Sequence, residues 1–218
     1  MQTHTIEQAG ALGTNKVLKN TYSLLAMTLL FSGLTAGVSV FMSVPPMFSM
    51  VCSIAAIALM WFVLPRTEDS AAGIGVVFAI TGLLGFGLGP MLSMYLALPN
   101  GPQLIATAMG GTGMIFLALS AYVTITRKDF SFLGGFLMVG LMVAFGAMIL
   151  NLFLQIPAMH LALSAAIIVI MSGFILFDTS RIINGGETNY VRATIGLYLN
   201  IYNIFVSLLQ ILGIMGDE

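Results

Sequence analysis

Charge is what this sequence has least of. Only 7% of its 218 residues are Asp, Glu, Lys or Arg, while 59% are hydrophobic. Soluble domains carry about 25% charged residues, so this chain cannot cover a water-facing surface, and its expected solvent is lipid. Seven Lys and Arg against eight Asp and Glu give a formal net charge of −1. The largest basic cluster is the pair Arg127–Lys128, which offers nothing to a nucleic acid. Cysteine occurs once, as Cys52, so no intrachain disulfide can form, and inside an apolar run it reads as a small core residue. The two histidines are His4, near the start, and His160, too few for a histidine-built metal centre. HExxH, Walker-type and G-x-S-x-G motifs are all missing. Ser164 lies one turn from His160, a spacing at which helix neighbours simply hydrogen-bond. An intramembrane aspartyl protease would need two acids, and Asp178 is the one candidate. The expectation is a protein that is not an enzyme and carries no cofactor.

What the sequence does have is long apolar runs. A bilayer core about 30 Å thick needs roughly 20 apolar residues per spanning helix. Seven runs meet that length, at about 21–43, 47–64, 71–97, 103–125, 133–154, 159–178 and 193–215. They are continuous rather than alternating, which favours helices over the strands of a barrel, and a helix satisfies its own backbone in lipid. The first run exceeds a signal-peptide core, so it is expected to be retained as a span. The chain is therefore read as an all-α membrane protein. A polar leader, 1–20, precedes a single transmembrane domain, 21–218, with no internal repeat or low-complexity tract.

The charges support the same count. Lys16 and Lys19 precede the first run; Arg66 follows the second, Arg127 and Lys128 the fourth, and Arg181 and Arg192 flank the link after the sixth. The intervening loops, around 44–46, 99–102 and 155–157, carry no charge. All the basic residues thus fall on alternate loops. The positive-inside rule then puts the N-terminus in the cytoplasm and the C-terminus outside.

Gly33 and Gly37 in the first run, Gly82, Gly85, Gly87 and Gly89 in the third, and Gly110, Gly111 and Gly113 in the fourth predict close helix approaches. Pro90, after Gly89, predicts a kink or break.

Two features carry chemistry. The sixth run ends in an acid, Asp178. An ionisable group at membrane depth is a functional hypothesis by default; the alternative is an interfacial acid paired with Arg181 three residues on. In the seventh run, Asn200, Asn203, Ser207 and Gln210 fall within about 80° of one another on a helix. Such a stripe rarely faces lipid, so helix 7 should sit centrally with the stripe inward, either tying helices together or lining a narrow polar path.

At these residues the chain resembles the Bax inhibitor-1 family. The segments that carry the resemblance are FILFDTSRII (Phe174–Ile183), GLYLNIYNIFVSLLQILG (Gly196–Gly213), GLLGFGLGPML (Gly82–Leu92) and TRKDFSFLGGFLM (Thr126–Met138). They occur in the family's order and extend over nearly the whole chain. INGGETNYVRAT (Ile183–Thr194), YNIFVSLLQILG (Tyr202–Gly213) and NKVLKNTY (Asn15–Tyr22) look most like a bacterial inner-membrane branch. The resemblance implies a seven-helix bundle with helix 7 surrounded by the others. It also implies two roles: a restraint on the membrane-anchored ATP-dependent protease FtsH, or a pH-sensitive calcium or cation leak. In the second role an aspartate pair on helices 6 and 7 is the pH-sensing gate, and Ca2+ is the transported ion. Asp178 matches the first aspartate; the second falls at Asn200, an amide. Two carboxylates can share a proton, but an Asp–Asn pair cannot couple two titrations, and it is a poor calcium site. The expected partners are therefore FtsH and membrane lipids, with a bacterial inner-membrane location. A leak gated at Asp178, with Arg66, Arg181 or Arg192 as ionic partner, is the alternative.

Overall fold

A computed structural model of the chain describes the backbone of residues 2–216, with side chains over 16–214. Asp217 and Glu218 and the side chains of the first fifteen residues lie outside the described residues. Among those described there are seven long helices and no strand. They are α1 (Gln2–Phe41), α2 (Pro46–Thr67), α3 (Ala71–Leu96), α4 (Gly101–Thr126), α5 (Leu133–Leu154), α6 (Pro157–Ile183) and α7 (Tyr190–Gly216). Each contains a stretch long and apolar enough to cross a bilayer. In α1 that stretch begins at Lys16, and the backbone before it is already helical from Gln2.

One boundary and two helix interiors differ from the hydropathy reading. First, α6 continues past Asp178 to Ile183, because Asp178, Thr179, Ser180 and Arg181 interrupt apolarity but not backbone hydrogen bonding. Second, α3 runs unbroken through Pro90. The imide costs one backbone hydrogen bond, and spanning helices tolerate this. Third, α2 widens into a π turn over Leu59–Val63, where the Leu64 N–H bonds the Leu59 carbonyl five residues back. Pro65 follows directly; its missing N–H and bulky ring disturb the regular ladder.

Helix ends follow from local chemistry. α6 closes with Gly185 at φ +75. The Gly186 N–H reaches the Arg181 carbonyl at 2.8 Å and the Gly185 N–H reaches that of Ile182 at 3.4 Å, a Schellman arrangement in which glycine takes the left-handed position.

The chain divides into two compact units. The first holds α1, α2, α3 and Thr188–Tyr198 of the link and α7. Its core is a close approach of α1 to α3. A Cβ at Gly85 would overlap the Ser32 carbonyl, and one at Gly89 would overlap the Ser39 side chain. Phe31 packs edge-on against Phe78, with centroids 5.4 Å apart. The Ser49 hydroxyl of α2 donates to the Gly87 carbonyl of α3 at 2.6 Å, and Cys52 is a buried free thiol beside that glycine, as expected of a small core residue.

The second unit holds α4, α5, α6 and α7 from Leu199 onward. Ala144, Ile167, Met171, Ile175 and Ile204 form its buried centre, with Phe116, Leu119 and Leu208 packed against them. Leu137 of α5 fills the space above Gly173 of α6, and Phe177 covers Gly134.

The expected glycine contacts hold for only part of the set. Gly85 and Gly89 are true approaches, whereas a Cβ at Gly33, Gly37, Gly110 or Gly113 would meet nothing within 4 Å. Spacing alone does not say which face of a helix finds a neighbour. α7 contributes to both units and is the most buried span: 44% of its most apolar window is buried, against 17% for α2 and for α5. That burial extends to Asn200 and Ser207 of the polar stripe.

Candidate functional site

Asp178 lies on α6 a little over one turn before its end and is half-buried. The facing residue on α7 is Asn200, only 6% exposed. Its Nδ2 donates to Asp178 Oδ2 across 2.8 Å. This is a charge-assisted hydrogen bond between two helices, stronger than a neutral pair. It joins the two residues that the family resemblance pairs across helices 6 and 7.

The rest of the stripe does not act as one surface. Gln210 accepts from the Ser164 hydroxyl of α6 at 2.9 Å. A second polar tie between α6 and α7 therefore lies further along both helices, at the position where Ser164 neighbours His160. Asn203 turns back on its own helix, donating to the Leu199 carbonyl at 2.8 Å. Ser207 is buried, while Gln210 is exposed. What the sequence presents as a continuous stripe is two inter-helix ties with a self-satisfied amide between them.

The three arginines expected as partners for Asp178 each make direct contacts elsewhere, and Arg181 also lies close enough to act on the Asp178 carboxyl through charge. Arg66 donates to the Phe62 carbonyl one turn back on α2. Arg181 pairs with Glu187 at 3.5 Å, donates to the Gly186 carbonyl at 3.1 Å, and lies 5.5 Å from the Phe177 ring centroid. Arg192 grips Glu68 with two nitrogens, its Nε reaching Oε2 at 3.1 Å. The reason is reach. Glu68 and Glu187 sit in the polar links beside these arginines, while Asp178 already receives the Asn200 amide.

Three clusters escaped the sequence reading. In the first unit, Asn189 caps α7: its Oδ1 accepts from the Val191 and Arg192 N–H groups at 2.9 and 3.2 Å. Its Nδ2 donates to the Glu68 carbonyl at 3.0 Å and to Asp69 Oδ1 at 2.9 Å. With Arg192–Glu68, this fastens the α2–α3 turn to the start of α7. An asparagine just before a helical run is a cap signal that could have found it. Also in the first unit, buried Tyr198 of α7 sits 2.6 Å from the Ser32 hydroxyl and 3.3 Å from the Thr81 carbonyl. A tyrosine inside an apolar helix needs a partner for its hydroxyl.

In the second unit, the α4–α5 turn is pinned to α6. Asp129 Oδ1 accepts from the Ser131 N–H at 2.8 Å and from Ser180 Oγ at 3.3 Å. Ser180 in turn accepts from the Phe130 N–H at 2.8 Å. Hydrogen bonds from Ser131, side chain first and backbone second, hold the Asp129 carboxyl below its ordinary range, with a smaller contribution from Ser180. Among the described residues, no group of three His, Cys, Asp or Glu side chains is placed to hold a metal ion.

The family profile described as "Inhibitor of apoptosis-promoting Bax1" matches residues 14–217. The chain belongs to this family. It is 51% identical over 95% of its length to the Modulator of FtsH protease YccA of Escherichia coli K12, covering 94% of that protein. It is 50% identical over its whole length to an uncharacterized membrane protein of Vibrio cholerae, covering 98% of it. An uncharacterized Pseudomonas aeruginosa protein shares 50% identity over 93% of this chain and 90% of its own. Each aligns nearly end to end with this chain, so the likeness extends to the whole membrane-spanning domain of this Bax inhibitor-1 family member.

Proposed function

We propose that this Bax inhibitor-1 family protein is a multi-pass protein of the bacterial inner membrane that binds FtsH or its membrane partners and restrains proteolysis. One observation carries the reading: 51% identity, over 95% of this chain and 94% of the relative, to a protein named as a modulator of FtsH protease. A relative from a second Escherichia coli strain, also 51% identical over 95% of this chain, is named an inner membrane protein.

In this reading the N-terminus is cytoplasmic, the C-terminus is periplasmic, and the polar leader, 1–20, is the handle offered to the protease. The test is FtsH reconstituted with a membrane substrate, with and without this protein. Substrate half-life should lengthen, and the two proteins should co-purify from native membranes. Deleting residues 2–15 should weaken one or both effects. Unchanged proteolysis with no co-purification would end this reading.

The Asp178–Asn200 hydrogen bond favours a second reading, a cation leak along α7 with Asp178 as its gate. Protein in liposomes loaded with a calcium dye tests it. A leak indifferent to Asp178→Asn sinks the gate, and no leak at any pH sinks the channel.

A further inference from the structure

Arg127 and Lys128 have no part in the site above. They open the short turn between α4 and α5, and they differ from the two arginines of the α6–α7 link, which have acid partners. Arg181 has Glu187 and Arg192 has Glu68. Among the described residues, no carboxylate is within ion-pair distance of Arg127 or Lys128. The acid in the same turn, Asp129, is committed to Ser131 and Ser180. Two cations and one acid leave the turn with a formal charge of +1, and the acid is turned toward α6.

The turn is also rigid. Arg127 adopts φ +50, and its N–H closes α4 on the Val123 carbonyl at 2.8 Å. The Phe130 N–H is fixed by buried Ser180. Lys128 Nζ is held 3.3 Å from the Tyr122 hydroxyl and 5.8 Å from its ring centroid. Tyr122, Phe130 and Phe132 form a connected row, with centroid separations of 6.1 and 6.4 Å. Beside the cations the surface is strongly apolar: Ile125 is 81% exposed, and Phe132 and Phe136 are each 76% exposed.

We propose that this turn is a binding site for the headgroup of an anionic phospholipid. Arg127 and Lys128 take the phosphate, and Ile125, Phe132 and Phe136 lie along the acyl chains. Unmatched cations at a span end attract anionic headgroups, and aromatic side chains settle at the same depth. A free phosphate would satisfy the cations but leave the adjoining apolar side chains uncovered, so a lipid is the better match. Because the turn is already held by Ser180, little ordering opposes binding.

The experiment uses the full-length protein in neutral detergent, titrated with phosphatidylglycerol, with phosphatidylcholine and with inorganic phosphate. Bound lipid is counted by native mass spectrometry. The wild type should retain phosphatidylglycerol over phosphatidylcholine. R127Q/K128Q should retain it about thirtyfold more weakly, with unchanged helix content. R127K/K128R should stay near wild type, and K16Q/K19Q, which removes the same charge elsewhere, should also stay near wild type. F132S, which keeps both cations, should lose retention as well. Wild-type retention by R127Q/K128Q would overturn the site and leave the patch to an acidic protein. Equal loss in K16Q/K19Q would overturn it in favour of diffuse charge. Full competition by millimolar inorganic phosphate would overturn the lipid as occupant.

Discussion

The Asn200 amide stands 2.8 Å from the Asp178 carboxylate, joining α6 to α7 with one acid rather than two. An amide supplies the hydrogen at any pH, so the tie does not depend on a shared proton. Asn200→Asp replaces the donor with a second carboxylate, which can remake the bond only while the pair holds a proton. Its thermal stability in detergent should therefore rise as pH falls from 8 to 5, with no such slope added by Asn200 in the wild type. Asn200→Leu should destabilise at every pH by about 1.5–3 kcal/mol, the range for a hydrogen bond to a charged group. Parallel slopes for wild type and Asn200→Asp would show that the pair is not the coupling point.

The glycines separate into two classes that sequence spacing treats alike. Gly85→Ala and Gly89→Ala drive a methyl into α1 backbone or side-chain atoms at Ser32 and Ser39, and should each cost about 1–3 kcal/mol through overpacking. Gly33→Ala and Gly37→Ala meet nothing within 4 Å, and should be neutral or stabilising by up to about 1 kcal/mol from helix propensity. Melting of the four single variants in one detergent settles the contrast.

Tyr198 donates its single hydrogen to the Thr81 carbonyl, so the Ser32 hydroxyl is the donor in their 2.6 Å contact. Tyr198→Phe should lose about 0.6–2 kcal/mol, the span between membrane and soluble hydrogen-bond measurements. A double-mutant cycle with Ser32→Ala should show coupling of the same order. Additive losses would mean the hydroxyls do not depend on each other.

The Asp129 carboxyl is held low by Ser131 and, less strongly, by Ser180. For a group with a depressed folded value, the stabilisation is present above the unfolded value, which is about 3.9. It is lost as pH falls through the folded value. Wild type should therefore lose stability more steeply than Asp129→Asn as pH falls below the ordinary carboxylate range, and the two should run parallel above it. Identical acid limbs would show that the hydrogen bonds from Ser131 and Ser180 add nothing.

Local chemistry was the legible part. The apolar runs and alternating loop charges foretold seven spans, because crossing lipid is decided by the summed transfer free energy of consecutive residues. The ends were less legible. Asp178 ended an apolar run, but α6 went on to Ile183, since helical hydrogen bonding does not require apolar side chains. Pro65 carried an unread sign of the π turn in α2. At the site, the periodicity of Asn200, Asn203, Ser207 and Gln210 placed them on one side of α7. Which of them would meet a partner was not written there. Asn203 found its own Leu199 carbonyl, and Gln210 found Ser164 across 46 positions of sequence.

The sequence by itself determined that this chain belongs in lipid, how many times it crosses, and that one acid, Asp178, and one polar stripe stand out near its end. These depend on composition, period and residue identity. Only the tertiary structure decided that Arg192 takes Glu68, that Arg181 takes Glu187, and that Asp129 turns from its neighbouring cations toward Ser180. Charged groups a few residues apart have several partners within reach along the chain. Distance and direction in the folded molecule select among them.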